Sequence, residues 1–149
     1  MEITETGRRL FDRLAQAAGQ SSRARTCDLR TGAIDADDIP PDSVWFTSYA
    51  VSCLPDLNER YIRSLLERRP RVVIHFEPCY EHCSSATLLG LLRRRYIEVN
   101  DYNRNLVTLL RSMEATGEVQ ILNETPAAFG MNPLFAASVV AWRGTESVP

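Results

Sequence analysis

SVWFTSYAVSCLP at 43–55 and RVVIHFEPCYEH at 71–82 decide the fold of this chain. Each run climbs through apolar and β-branched residues and then stops on hydroxyl, acidic and imidazole groups. Buried parallel strands carry such near-continuous apolar runs, and an open α/β sheet presents its ligand-facing groups at the carboxyl ends of its strands. Between them, Pro55-Asp56-Leu57-Asn58-Glu59 opens a helix, with Asp56 suited to the N-cap and Glu59 three residues on, as in a capping box. Leu57, Tyr61, Ile62, Leu65 and Leu66 give that helix a buried face, and Pro70 ends it. Strand, helix and strand at this spacing make a βαβ unit, with strands expected over Ser43–Ser48 and Arg71–Phe76. No strand runs into a glycine-rich turn, so the chain reads as part of a cofactor-binding fold.

Outward from this unit, residues 8–18 put Leu10, Phe11, Leu14, Ala17 and Ala18 on one helical face, with Gly19 as the stop. Ala24–Leu29 reads as a short strand, followed by an acidic connection broken by Pro40 and Pro41. Helices are expected at about 85–95 and 101–116, the second with Leu106, Leu109, Leu110 and Met113 on one side. Val119–Leu122 and Ser138–Trp142 read as closing strands separated by a loop with Pro126, Gly130 and Pro133. With no helix between them, these two should pair antiparallel.

At 149 residues, 44% hydrophobic and 24% charged, the composition is that of one soluble globular domain spanning 1–149. A net charge of −2 offers no field for nucleic acid, and every basic residue is Arg. No apolar run approaches the about 20 residues that span a bilayer, and MEITETGRRL is too polar for a signal peptide. Cys27, Cys53, Cys79 and Cys83 lack the spacing of a disulfide framework, so a reducing cytoplasm is the expected location.

The order and spacing of SVWFTSYAVSCLPDL, RVVIHFEPCYEH, RYIEVNDYNRNLVTLL and NPLFAASVVAWR resemble the fourth to last strands of class I S-adenosylmethionine-dependent methyltransferases, in the small-molecule or sugar O-methyltransferase branch. The resemblance covers the chain from about residue 2 onward. It implies an α/β fold: a partial Rossmann-like sheet, mostly parallel, with a C-terminal antiparallel strand pair. It also implies that the first strand and Gly-rich loop are missing, as in a domain truncated at its N-terminus. Glu2, at the end of the family's second strand, would be the ribose ligand, and Asp28, after the third, the adenine ligand. Without the Gly-rich loop, S-adenosylmethionine should bind weakly or not at all.

Several residues suit chemistry at such a site. Thr47, Ser48 and Tyr49 stand where the first quoted strand gives out; Thr47 and Ser48 would lie against the cofactor and Tyr49 against an acceptor, or they simply cap the turn. Glu77, Tyr80 and His82 follow the next strand. His82 or Glu77 would assist deprotonation of a hydroxyl acceptor, His82 being better placed because its ordinary pKa lies near neutrality. His75, inside the strand, reads as a packing residue. Tyr80, Tyr102 and Asn103 would form a polar substrate wall, with Asn100 or Asp101 as N-cap of the following helix. His75, Cys79, His82 and Cys83 also show an H-x3-C-x2-H-C spacing, but a single cluster without a second knuckle favours buried thiols, and no metal is assigned. Two functions follow as expectations. One is a methyltransferase-like domain acting on a small-molecule hydroxyl, incomplete or inactive as this chain alone. The other is a non-catalytic subunit that joins a homo- or hetero-oligomer through an exposed sheet edge.

Overall fold

A computed structural model describes residues 4–35 and 37–145, a mixed α/β arrangement of four helices and two sheets. The chain divides into two compact units, one formed by residues up to 40 with 58–67, the other by 41–57 with everything from 68 onward.

The first unit holds α1 (Glu5–Ala17), the short strands β1 (Cys27–Asp28) and β2 (Ala33–Ile34), and α2 (Glu59–Glu67). Thr4 caps α1 by accepting from the Gly7 N–H at 3.1 Å, and Gly19 closes it at φ 67°. The helix forms where its periodicity places it, yet Leu10, Phe11 and Leu14 are all exposed and only Ala15 is buried. The period of apolar residues fixes a face; it does not supply a partner for it. α2 starts at Glu59 rather than on an Asp56 cap, and the Asn58 side chain accepts the Arg60 N–H at 2.9 Å. The strand expected over Ala24–Leu29 is two residues long. It pairs antiparallel with β2 in its own two-stranded sheet, so it is not the main-sheet strand that the resemblance implied.

The second unit carries the main sheet. Its strands are β3 (Val44–Ser48), β4 (Val72–Glu77), β5 (Val119–Phe129) and β6 (Ala137–Gly144), in the order β3-β4-β6-β5. β3 and β4 are parallel neighbours, with Thr47 opposite His75 and Ser48 opposite Phe76. β6 lies antiparallel to β4 and to β5, so the sheet is mixed rather than mostly parallel by pairing, while β3, β4 and β5 share one direction. The closing pair is antiparallel, as the absence of an intervening helix requires. β5 runs on to Phe129, through Pro126 and two register shifts. A proline is tolerated there because β5 is an edge strand, and its missing N–H costs no ladder bond.

Period-two alternation divides the residues of this sheet. Val73, His75 and Glu77 of β4 are buried with Val140 and Trp142 of β6, whereas Ile74 and Phe76 are only half-buried and Val44 and Phe46 are exposed. α3 spans Leu88–Val99 and α4 Leu106–Ala115. Leu106, Val107, Leu110 and Met113 of α4 are buried, each contributing about 1.5–3 kcal/mol by leaving water, and the helix runs against β5. Asn100 is the C-cap of α3, and Asp101 takes a left-handed φ of 52°. The N-cap of α4 is instead Asn105, and Asn103 supplies the capping oxygen: its Oδ1 accepts the N–H groups of Asn105 at 3.1 Å and Leu106 at 2.9 Å.

Gly90 lets α3 approach the segment before it. A Cβ there would lie 1.9 Å from the Ser84 carbonyl oxygen, backbone that has no rotamer with which to yield. Gly90→Ala is therefore expected to cost about 2 kcal/mol and lower Tm by roughly 5 °C in a thermal melt. An unchanged Tm would show that the approach is not tight.

Candidate functional site

The carboxyl ends of β3 and β4 are tied together by one side chain. After Ser48 the backbone turns through Tyr49 at φ 52°, whose N–H donates to the Phe76 carbonyl at 3.1 Å, and enters a short 3-10 turn at Val51–Cys53. The N–H groups of Ala50, Val51 and Ser52 converge on the Glu77 carboxylate at 2.9, 3.1 and 3.1 Å. Glu77 is 1% exposed. It acts as a buried clasp between the two strand ends.

Beside the clasp lies a half-exposed aromatic cluster. Phe135 packs against Tyr102 at 4.6 Å, Tyr49 at 5.6 Å and Tyr96 at 5.6 Å between ring centroids. The Tyr49 hydroxyl donates to the Phe135 carbonyl at 3.3 Å. Gly130, at φ 138°, is required here because a Cβ would meet the Tyr49 hydroxyl and the Ala136 Cα, each at 3.1 Å. Tyr49 and Tyr102, 53 residues apart in sequence, are thus brought to one surface (102 − 49).

His82 is held differently. Its Nε2 lies 2.9 Å from the Glu124 carboxylate, which also receives Arg111 Nη2 at 2.9 Å and Nε at 3.3 Å. Burial pushes the Glu124 pKa up, but the hydrogen bonds from His82 and Arg111 outweigh it and hold the carboxyl below its ordinary range. The His82 side chain is only 8% exposed, and its Nδ1 is buried with no hydrogen-bond partner among the described residues. The imidazole lines a cavity of about 10 Å³, shared with Cys79, Cys83, Ile97, Leu134 and Ser138. That is room for about one water and none for a substrate. Leu134 and Ala136 line this cavity on either side of Phe135, so one loop serves both it and the aromatic cluster.

The remaining residues are distributed as follows. Thr47 Oγ1 pairs with His75 Nδ1 at 2.8 Å, whereas Ser48 is exposed; strand alternation sends the two to opposite faces. Asn103 is buried, donating to the Leu54 carbonyl and capping α4, so it stands in structure and not on a substrate wall. Tyr80 donates to Glu98 at 2.9 Å, with the Arg94 guanidinium 4.9 Å over its ring. Asp28 lies in the first unit, accepting from the Arg30 backbone at 3.0 Å and side chain at 3.2 Å, an Asx-type turn. Glu2 lies outside the described residues. Among the described residues no group of three or more His, Cys, Asp or Glu side chains is placed to hold a metal.

Tyr96, Phe135, Arg111 and Glu124 complete the site without having been singled out in the sequence. Tyr96 and Phe135 fall within RYIEVNDYNRNLVTLL and NPLFAASVVAWR, two of the stretches that carry the resemblance. Glu124 stands 42 residues from His82, and nothing local links them. Comparison of the chain with family models, with curated proteins and with solved structures finds no match.

Proposed function

We propose that the second unit is the acceptor-side part of a Rossmann-like, S-adenosylmethionine-dependent methyltransferase domain for a small-molecule hydroxyl, incomplete as a catalyst by itself and working in the cytoplasm. The observation that carries this reading is the parallel β3–β4 pair, whose clasped carboxyl ends lead to the aromatic cluster of Tyr49, Tyr96, Tyr102 and Phe135. Ligands of open α/β sheets gather at that end of the strands. A half-exposed aromatic surface suits a planar or sugar-like acceptor, because rings stack on it at little entropic cost. The antiparallel closing pair agrees with the same resemblance. Four free thiols and no helix, among the described residues, long and apolar enough to cross a membrane accord with the cytoplasm.

The residues fit the acceptor better than the cofactor. The turn N–H groups of Ala50, Val51 and Ser52, the nearest backbone donors for a cofactor carboxylate, already belong to Glu77. Asp28 stands outside the main sheet. His82 Nδ1, with Glu124 fixing the far side of the ring, is the nitrogen left to receive a proton, through a water the cavity can hold.

Titration of the isotope-labelled chain with S-adenosylhomocysteine tests the reading by NMR. Weak binding is expected, with amide shifts confined to Ser48–Ser52 and the Tyr102 region. Shifts centred on any other surface would sink it. Tight binding would instead overturn the incompleteness.

A further inference from the structure

Strand β3 is an edge strand of the main sheet, and it carries none of the usual edge protection among the described residues. The Arg71 N–H donates to the Ser43 carbonyl at 3.0 Å and the Tyr49 N–H to the Phe76 carbonyl at 3.1 Å. In a parallel ladder these bonds turn the odd-numbered residues of the strand toward β4. The N–H and C=O groups of Val44, Phe46 and Ser48 consequently face away from it. Among the described residues no further strand pairs with them. The same three residues put their side chains on the accessible face, with Val44 47% and Phe46 69% exposed. Natural edge strands avoid joining others by carrying Lys, Pro, a bulge or an inward charge. Val44–Ser48 carries none of these.

We infer that this edge pairs with β3 of a second copy of the chain, antiparallel across a two-fold axis centred on Phe46. The pattern of outward groups is its own complement. Val44 falls opposite Ser48 of the copy and Phe46 opposite Phe46, and each pair exchanges both of its backbone hydrogen bonds. Electrostatics permits the self-pairing, since the strand is uncharged and Asp42 falls opposite Ala50 of the copy. The pairing also continues an apolar surface already present. Phe46 packs edge-on against Phe76 at 6.3 Å, and Phe76 against Phe129 at 5.9 Å. Two copies would join these rows across the axis and cover the most exposed aromatic ring of the sheet. This interface deepens the subunit reading of the exposed edge and does not depend on the transfer chemistry proposed above.

Sedimentation equilibrium of the full chain over a concentration series tests it, with circular dichroism confirming that each variant is folded. The wild type is expected to double in mass as concentration rises. Phe46→Lys and Phe46→Glu, which set like charges opposite one another at the axis, should each remain monomeric. Their equimolar mixture should recover the dimer, a result that only the register centred on residue 46 produces. Phe46→Pro should also be monomeric while keeping the β3–β4 ladder, because the N–H it removes faces outward. A wild type that stays monomeric, including one that pairs only with a strand of a different protein, would overturn the inference. So would a dimer that survives Phe46→Lys and Phe46→Glu alike.

Discussion

Glu77→Leu is expected to cost about 4 kcal/mol of folding stability, a large share of the roughly 5–15 kcal/mol that a marginally stable domain possesses. The Glu77 carboxylate is buried and accepts three backbone hydrogen bonds, from Ala50 at 2.9 Å, Val51 at 3.1 Å and Ser52 at 3.1 Å. Leucine fills a similar volume but leaves all three donors without an acceptor. An unsatisfied buried donor costs roughly 1–3 kcal/mol, and those bonded to a charged group lie toward the upper end. Glu77→Gln separates charge from geometry. Its remaining oxygen can keep Ala50 and Val51, while its amide nitrogen confronts the Ser52 N–H, so a loss of about 2 kcal/mol is expected. Urea unfolding followed by the fluorescence of Trp45 and Trp142 measures both. A loss below about 1 kcal/mol for Glu77→Leu would refute the clasp. If the clasp holds, both variants also release Tyr49 from Phe135, loosening the aromatic cluster along with the fold.

What the sequence made legible depended on how local each cause was. The apolar runs before Ser48 and Glu77 are legible because a buried strand needs nothing beyond its own residues to announce itself, and both strands formed, within a residue of the expected limits. The apolar face of α4 was equally local. Helix starts were not. In NDYNRN four positions, Asn100, Asp101, Asn103 and Asn105, offer a capping side chain, and the part taken by Asn103 follows from tertiary bonds. Asn103 donates to Leu54, and Asn105 exchanges bonds with the Leu57 backbone at 2.8 and 3.0 Å. Glu77 shows the same limit at the site. An acidic residue at a strand end reads as a catalytic group, and only the returning turn at 50–52 turns it into a structural one. The His82–Glu124–Arg111 chain joins three distant segments, so no spacing rule could have found it.

His75 should make stability fall as pH drops from about 6.5 to about 4. Its ring is wholly buried between two partners. Trp142 Nε1–H donates to Nε2 at 2.9 Å, and an indole nitrogen can only donate, so Nε2 carries no proton. The proton of the neutral ring therefore sits on Nδ1 and is donated to Thr47 Oγ1 at 2.8 Å. Burial lowers the His75 pKa from 6.5 to about 4, since an imidazolium here would lose its water and break the bond from Trp142. Between those pH values the unfolded chain binds a proton that the folded chain refuses. The stability is complete above pH 6.5 and is lost as pH falls through the window, by about 3 kcal/mol in all. The lowered carboxylates of Asp28, Asp38 and Glu124 act in a more acid range, from about pH 5 downward, and so overlap only the acid end of this window. Urea unfolding at a series of pH values, for the wild type and for His75→Asn, isolates the effect. The variant should be less stable at pH 7, having lost ring bonds, and should lack the slope that the wild type shows between pH 6.5 and 4. Parallel profiles for the two proteins would mean that the ring accepts a proton in the fold, and the neutral Thr47–His75–Trp142 chain would have to be abandoned.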